Sequence, residues 1–258
     1  MSTPLADIVA ALDTELRTRD ITDYGGAHNG LQVANRSGIT RVATAVDASR
    51  DTIKDAAASG ANLLIVHHGL FWGGVQPITG VTYDRLRLLL DHDIALYSSH
   101  LPLDAHPVLG NNVQLAQALG LTPSGEFAQH KGLAIGVRGT ADVHTETLIE
   151  RARFYAESYG GSVRTSLPAE QRVTKHWAMC TGGGANSDTL REAYALGVDT
   201  LIVGEGPHHT AVDAIENDLC IIYAGHYATE TLGVQALGAW LHTTFALPHG
   251  FILRPTGL

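Results

Sequence analysis

Two segments that lie far apart in this chain repeat one pattern. Residues 51–66 (DTIKDAAASGANLLIV) align without gaps on residues 188–203 (DTLREAYALGVDTLIV), and eight of the sixteen positions are identical. Each copy is typical of a helix that ends at a glycine and leads into a buried strand, which is one αβ unit. Two unrelated αβ units can look alike, so the residues that follow each copy decide whether the repeat carries meaning.

Helical and strand-like segments alternate along the chain, with Gly, Pro, Asn and Asp between them. The pattern restarts near residue 125, which favours two lobes over one large α/β domain. The predicted fold class is therefore α/β, with two similar α/β lobes related by an internal pseudo-repeat. The lobes are residues 1–125 and residues 126–258, and the C-terminal helix expected at 227–241 can pack back on the first lobe.

Composition excludes several classes of protein. The chain has 258 residues, of which 45% are hydrophobic and 17% charged, so it can build a large core. Its net charge of −9 disfavours a general nucleic-acid binder, although it leaves room for a local basic patch. Its two cysteines are far apart, which indicates neither a disulfide framework nor a thiolate zinc site. Without a membrane span or a signal-peptide pattern, the expected location is the cytoplasm.

Histidines and acids follow the strands of both copies. The first copy runs into His67 and His68, and the second runs into Glu205 and the pair His208-His209. One strand further on, the two halves match again, because His100-x-x-x-Asp104 corresponds to His226-x-x-x-Glu230. Imidazole is the commonest protein ligand for transition metals, so the fourteen histidines of this chain make a metal site the leading hypothesis.

The spacing predicts how these side chains meet. His226 and Glu230 lie four residues apart on an expected helix, so both can reach one cation. Pro102 favours a turn between His100 and Asp104, so Asp104 is expected to project from a loop. Two ligand sets at the ends of strands can bind a pair of metal ions in the cleft between the lobes. The predicted metal ligands are His67, His68, Asp104, His226 and Glu230.

Five motifs together carry a resemblance to a known family. They are Asn29-Gly30-Leu31-Gln32-Val33, Val66-His67-His68-Gly69, Ser99–Ala105, Val203-Gly204-Glu205 with His208-His209, and Gly225–Glu230. The chain resembles the Nif three-like, or YbgI-like, dinuclear metal-binding proteins, which are often named GTP cyclohydrolase I type 2. The resemblance implies two divalent metal ions on the five predicted ligands and a homo-oligomer in the form of a ring-shaped hexamer. Imidazole and carboxylate donors suit Zn, Mn, Fe, Co or Ni.

Two functions remain open at this point. The first is a metal-dependent hydrolase in which a metal-activated bridging water attacks a small-molecule substrate, which by resemblance is the purine ring of GTP. The predicted catalytic residues, which would pass protons, are Glu205, His100 and His209. The second is a non-catalytic metal-binding ring scaffold, metal chaperone or regulatory protein. Loss of turnover in Asp104→Ala supports the first, whereas loss of assembly or stability supports the second.

Overall fold

Two compact units make up the computed structural model, which describes residues 2–74 and 76–258. Unit 1 comprises the chain up to Leu109 together with Gly233–Arg254, and unit 2 comprises Gly110–Leu232 with Pro255–Leu258. No helix among the described residues is both long and apolar enough to span a bilayer.

Helices and strands alternate along the whole chain. The helices are α1 (Leu5–Glu15), α2 (Arg50–Ala58), α3 (Gly80–Asp91), α4 (Leu101–Asp104), α5 (Asn111–Ala118), α6 (Thr145–Ser158), α7 (Ser187–Ala195), α8 (His208–Glu216), α9 (His226–Thr229) and α10 (Thr231–Phe245). The strands are β1 (Gly30–Val33), β2 (Val42–Asp47), β3 (Leu63–His68), β4 (Ala95–Ser98), β5 (Gly125–His130), β6 (Leu133–His144), β7 (Arg164–Thr165), β8 (Val173–Cys180), β9 (Thr200–Val203), β10 (Cys220–Tyr223) and β11 (His249–Phe251).

Unit 1 contains a five-stranded sheet in the order β1-β4-β3-β2-β11. The strands β4, β3, β2 and β11 are parallel, and β1 is an antiparallel edge. Successive residues of β3 enter different hydrophobic clusters, because Leu63 and Ile65 join one cluster and Leu64 and Val66 join the other. This strand is therefore covered on both faces, as its unbroken apolar run predicts.

Unit 2 contains a six-stranded sheet in the order β5-β6-β8-β9-β10-β7. Three neighbouring strands of this sheet, β8, β9 and β10, are parallel. The strand β9 is also buried on both faces, because Leu201 and Val203 belong to one cluster and Ile202 to another. The prediction of a mixed α/β fold is therefore confirmed.

The internal repeat is visible in the backbone of both units. The first copy is α2 followed by β3, and the second is α7 followed by β9. Each helix is followed by a glycine with a left-handed backbone, Gly60 with φ +75° and Gly197 with φ +65°. Ala61 then donates its backbone N–H to Ala56, and Val198 donates to Ala193 in the same way. The two αβ units therefore share detailed backbone geometry as well as sequence.

The boundary of the units differs from the one expected at residue 125. Helix α5 carries Leu115 and Ala116 into a core cluster of unit 2, so the division falls before this helix. Near the C-terminal end of the chain, Val234, Leu237 and Leu241 of α10 join a core cluster of unit 1.

The segment around Asp104 corrects one prediction. The expectation that Asp104 projects from a loop is wrong, because Leu101–Asp104 forms the single-turn helix α4. Pro102 lies in its first turn, where proline removes no helical hydrogen bond. The helix expected at 227–241 is in fact two helices, since α9 ends before Glu230 and α10 begins at Thr231.

Candidate metal centre

Three histidines of unit 1 lie together at the carboxyl ends of parallel strands. His67 and His68 end β3, and His100 follows β4. The ring centroid of His67 lies 4.8 Å from that of His68 and 4.9 Å from that of His100. One ring nitrogen of each residue lies within 4.8 Å of the other two, so the three imidazoles could share an ion. We call these three residues the unit 1 cluster.

Hydrogen bonds fix the tautomer of every imidazole in the unit 1 cluster. Nδ1 of His67 lies 2.9 Å from the carbonyl oxygen of Ser99, and Nδ1 of His68 lies 2.9 Å from Oδ1 of Asp47. Nδ1 of His100 lies 3.0 Å from a carboxylate oxygen of Asp23. Carbonyl and carboxylate oxygens only accept, so each Nδ1 must donate a proton. In the neutral form of such a ring the lone pair is on Nε2, which is the nitrogen that a metal-ligating histidine of this tautomer uses.

A buried aspartate holds the backbone around His100. Oδ2 of Asp23 accepts from the side-chain amide of Asn29 over 2.8 Å and from the backbone N–H of Leu101 over 3.1 Å. Oδ1 of Asn29 in turn accepts from the backbone N–H of His100 over 2.7 Å. Burial opposes the ionisation of Asp23, but His100 and Asn29 outweigh it and lower the pKa of the carboxyl to about 2. Asp23 is thus ionised at neutral pH, and its carboxylate orients His100.

Asp104 lies against the unit 1 cluster. Its Oδ2 is 3.5 Å from Nε2 of His67, and its side chain is only 9% exposed. The backbone N–H of Asp104 donates to the carbonyl of His100 over 3.0 Å, which ties the short helix α4 to the end of β4. A carboxylate and an imidazole nitrogen thus face each other at a distance that one cation could bridge.

A second cluster lies in unit 2, formed by Glu205, His226 and Glu230, which we call the unit 2 cluster. Nδ1 of His226 lies 2.8 Å from Oε1 of Glu205, and Nε2 lies 3.3 Å from Oε2 of Glu230. Burial opposes protonation of His226, but the hydrogen bonds and charges of Glu230 and Glu205 outweigh it and raise the pKa of the imidazole to about 9. A cation on Nε2 would take the place of that proton.

The glycine-containing loop after β8 packs against the unit 2 cluster. The backbone N–H of Gly182 donates to Oγ1 of Thr229 over 3.0 Å, and that hydroxyl donates to the carbonyl of His226 over 3.0 Å. The carbonyl of Gly182 accepts from the backbone N–H of Glu205 over 2.8 Å. A Cβ on Gly182 would overlap Glu230. Only glycine leaves room at this point for the carboxylate.

Comparison with known proteins identifies the family. A model of the family Duf34/NIF3 (NGG1p interacting factor 3) matches residues 3–254. The chain belongs to the DUF34/NIF3 family. The resemblance inferred from its five motifs is therefore confirmed, and the unit 1 and unit 2 clusters coincide with four of those motifs.

Relatives of this NIF3-family chain match it over nearly their whole length. A Halobacterium salinarum protein named GTP cyclohydrolase 1 type 2 homolog is 42% identical over 257 residues, which cover 98% of this chain and 99% of the relative. An Escherichia coli protein with the same name is 38% identical over 248 residues, which cover 95% of each. The solved structure of protein ybgI, described as of unknown function, is 36% identical, covers 100% of both chains and superposes with a TM-score of 0.87. A Thermus thermophilus structure is 33% identical, with the same coverage and a TM-score of 0.81.

The NIF3-family structure places the predicted residues in two groups. Unit 1 brings together His67, His68, His100 and Asp104, and unit 2 brings together His226, Glu230 and Glu205. His209 is exposed in the first turn of α8, and within residues 2–74 and 76–258 no hydrogen bond or ion pair joins it to the unit 2 cluster. The assignment of these residues as metal ligands or catalytic groups stays a prediction.

Sequence reasoning missed the aspartates that orient the histidines. Asp47 ends β2 directly beside His68 in the parallel register, so its position at a strand end was a usable signal. Asp23 lies in a loop and meets His100 across 77 positions of sequence. No local pattern marks such a contact.

Proposed function

We propose that this chain is a dinuclear metal-dependent hydrolase. The residues that would hold two divalent ions are His67, His68, Asp104, His226 and Glu230. Relatives along the whole chain are named GTP cyclohydrolase 1 type 2 homolog, so GTP is the first substrate to test.

One observation carries the proposal. Each histidine of the two clusters has Nδ1 against an oxygen acceptor, and three of those acceptors are the carboxylates of Asp23, Asp47 and Glu205. Surface histidines seldom share such an arrangement, whereas metal-ligating histidines almost always have it, because the acceptor fixes the ring and raises the basicity of Nε2. Buried carboxylates next to Nε2 of His67 and of His226 complete the donor set in each unit.

The donors limit which ions fit. They are imidazole nitrogens and carboxylate oxygens, with no thiolate among them. This mixture suits Zn, Mn, Fe, Co or Ni, and it is poor for Ca and Mg, which prefer oxygen ligands alone. The carboxylate of Glu230 occupies the space that Gly182 leaves, so a side chain at position 182 would displace this proposed ligand.

The clusters also contain groups that can hold or move a proton. Divalent ions at such a site would supply an acidified water and polarise the substrate. Glu205 is 49% exposed while it accepts from Nδ1 of His226, so its carboxylate can exchange protons with solvent. His100 is fixed by Asp23 through Nδ1 and lies beside His67 and His68, so its Nε2 can receive a proton from the reacting group. His209, exposed on α8, is the third proposed proton carrier.

The test combines metal analysis with turnover. Purified protein is loaded with each candidate ion, the bound metal is counted by mass spectrometry, and consumption of GTP and of a phosphodiester is followed by chromatography. We expect about two ions per chain and metal-dependent turnover in the wild type. Asp104→Ala tests the ligands of unit 1 and Glu230→Ala those of unit 2, with Glu216→Ala on the exposed end of α8 as the control.

Each outcome bears on the proposal. Loss of bound metal and of turnover in both variants, with the control unchanged, supports it. Full metal content in either variant contradicts the ligand assignment. A wild-type protein that holds its ions but hydrolyses neither GTP nor phosphodiesters contradicts the hydrolase and favours a non-catalytic metal protein. A ring-shaped hexamer is also part of the proposal, and light scattering of the wild type measures it.

A further inference from the structure

Two exposed aromatic side chains border the unit 1 cluster. Trp72 is 38% exposed, and its ring centroid lies 4.8 Å from that of His100 and 5.5 Å from that of His68. Tyr24 is 47% exposed, and its ring centroid lies 5.9 Å from that of His100. Both rings thus contact the same imidazole while they keep large parts of their surface in water. A single exposed aromatic residue is common on protein surfaces, whereas two exposed aromatic residues beside one cluster of titratable side chains indicate a binding site.

The loops that carry these rings are fastened to each other. Tyr24 lies in the loop before β1 and Trp72 in the loop after β3. The backbone N–H of Gly74 donates to the carbonyl of Gly26 over 3.2 Å, and the N–H of His28 donates to the carbonyl of Phe71 over 3.2 Å. A Cβ on Gly26 would stand 2.5 Å from Cα of Gly73, so the two backbones touch.

The side chain of Gln32 joins the same two loops. Its Oε1 accepts from the backbone N–H of Leu70 over 2.7 Å, and its Nε2 donates to the carbonyl of His28 over 2.7 Å. Gly69 lies against this amide so closely that a Cβ there would overlap it. The positions of Trp72 and Tyr24 are therefore set by hydrogen bonds between the loops, which prepares the rings for a ligand instead of leaving them to move freely.

We propose that Trp72 and Tyr24 are specificity-determining residues that stack against a planar heteroaromatic ring of the substrate beside the unit 1 cluster. This inference rests on the proposed function, since it names the substrate class of the same site. An exposed indole and phenol offer π-faces and apolar area, and every nucleobase-like ring has a matching face. Their ring centroids lie within 6 Å of His100, so a stacked ring would lie next to the imidazoles that we assign to the reaction.

The test measures binding with two probes on the metal-loaded protein. GTP contains a planar heteroaromatic ring and a triphosphate, whereas inorganic triphosphate has the charges without the ring. Titration calorimetry gives the affinity of each. Trp72→Leu and Tyr24→Leu remove aromatic faces but keep apolar volume, and Trp72→Phe keeps an aromatic face. Phe154→Leu is the matched control, because Phe154 is 80% exposed on α6 in unit 2.

We expect Trp72→Leu to bind GTP about tenfold more weakly, in line with stacking on one aromatic side chain. Tyr24→Leu shifts the affinity in the same direction, and Trp72→Phe restores most of it. The affinity for inorganic triphosphate stays unchanged in all of these variants, as does the affinity of Phe154→Leu for GTP. Bound metal is counted in every variant, so that a loss of fold or ions is seen directly.

Fluorescence supplies an independent readout. The chain has three tryptophans, of which Trp177 is fully buried and Trp72 is exposed. GTP should quench the emission of the wild type, and this quenching should disappear in Trp72→Phe although calorimetry still detects binding.

Unchanged GTP affinity in both leucine variants would overturn the inference, as would an equal loss of affinity for GTP and triphosphate. Failure of the hydrolase is a separate result. If the protein binds GTP through Trp72 without hydrolysing it, the stacking inference is supported and the proposed hydrolase activity is contradicted. If the wild type hydrolyses GTP and the Trp72→Leu variant binds GTP normally, the hydrolase activity is supported and the stacking inference is contradicted.

Discussion

Gly182 and Glu230 lie so close together that a methyl group at position 182 would overlap the carboxylate. The same methyl group would stand 3.3 Å from Nε2 of His226. Gly182 also has φ +62°, a conformation that other residues adopt at a cost. The loop that contains it is therefore a wall of the unit 2 cluster, and the close contact with Glu230 explains why this position is a glycine.

The first prediction concerns this contact. Gly182→Ala should displace Glu230 and lower the affinity for metal by at least tenfold, because the carboxylate must move away from His226. Two controls separate the causes of the effect. Gly197 has a similar φ of +65°, but a Cβ there would meet open space. Gly197→Ala therefore tests the backbone strain alone, which should lower the stability of the fold by about 1 kcal/mol. Gly183 has open space around it and no left-handed φ, so Gly183→Ala should change neither the stability nor the metal affinity. Equal metal affinity in all three variants and the wild type contradicts the prediction.

The second prediction separates two roles of Glu205. Glu205→Ala removes the acceptor of Nδ1 of His226, and we expect metal affinity to fall by roughly 10- to 100-fold. Glu205→Gln keeps an oxygen that can accept, so above pH 9, where His226 is deprotonated in both proteins, it should bind metal nearly as well as the wild type. If Glu205 also carries a proton, the glutamine variant at saturating metal turns over GTP more slowly. Wild-type turnover in that variant would leave Glu205 with the orienting role alone.

The third prediction follows from the pKa of His226. That pKa is about 9 in the metal-free protein, above the ordinary value of 6.5, so the imidazole is protonated at pH 7. An ion must displace this proton, and the apparent metal affinity should rise by up to about tenfold per pH unit between pH 7 and pH 9 and then level off. Competition titrations with a chelator measure this slope. Glu205→Gln should move the plateau to lower pH, because it removes one of the charges that hold the proton. A slope of zero between pH 7 and pH 9 would refute the assignment of His226.

Much of the fold could be predicted because its signals are local. The apolar run Leu63–Val66 predicts a strand covered on both faces, and Gly60 predicts the end of the preceding helix, and both features are present. The sequence does not predict the strand β5, since its residues neither alternate nor form an apolar run, and Ala128 within it has φ +57°. The strand β11 has three residues and forms by pairing with β2 far away in sequence.

In the candidate site, too, the sequence predicts the residues that have a local signal and does not predict the others. His67 and His68 could be found because adjacent histidines at the end of a buried strand are rare, and the pair His226 and Glu230 because its spacing fits a helical turn. Asp23 could not be found, because the loop that carries it is brought to His100 by the tertiary fold. Orienting groups of this kind depend on long-range contacts, and a single sequence does not show them.

The last prediction tests the repeat at a pair of equivalent positions. Oδ1 of Asn62 accepts from the backbone N–H of Thr40 over 2.9 Å, and Nδ2 donates to the carbonyl of Gly38 over 2.9 Å. In unit 2, Oδ2 of Asp199 accepts from the backbone N–H groups of Lys175 and His176 over 2.9 and 2.8 Å. Each side chain thus holds the backbone at or near the start of the first parallel strand of its unit.

Asn-to-Asp substitution at position 62 and Asp-to-Asn substitution at position 199 should have different effects on stability. Alanine at either position should lower the free energy of unfolding by about 0.5–1.5 kcal/mol, because the backbone groups lose the side-chain partner that holds them. Asp199→Asn keeps an acceptor and should cost less than Asp199→Ala. Asn62→Asp loses the donor to Gly38 and places a carboxylate against a carbonyl oxygen, so it should cost as much as Asn62→Ala. Urea unfolding measures all four variants, with the exposed Asp51→Ala as the control. Equal costs for Asn62→Asp and Asp199→Asn would show that the donor of Asn62 does not stabilise the fold.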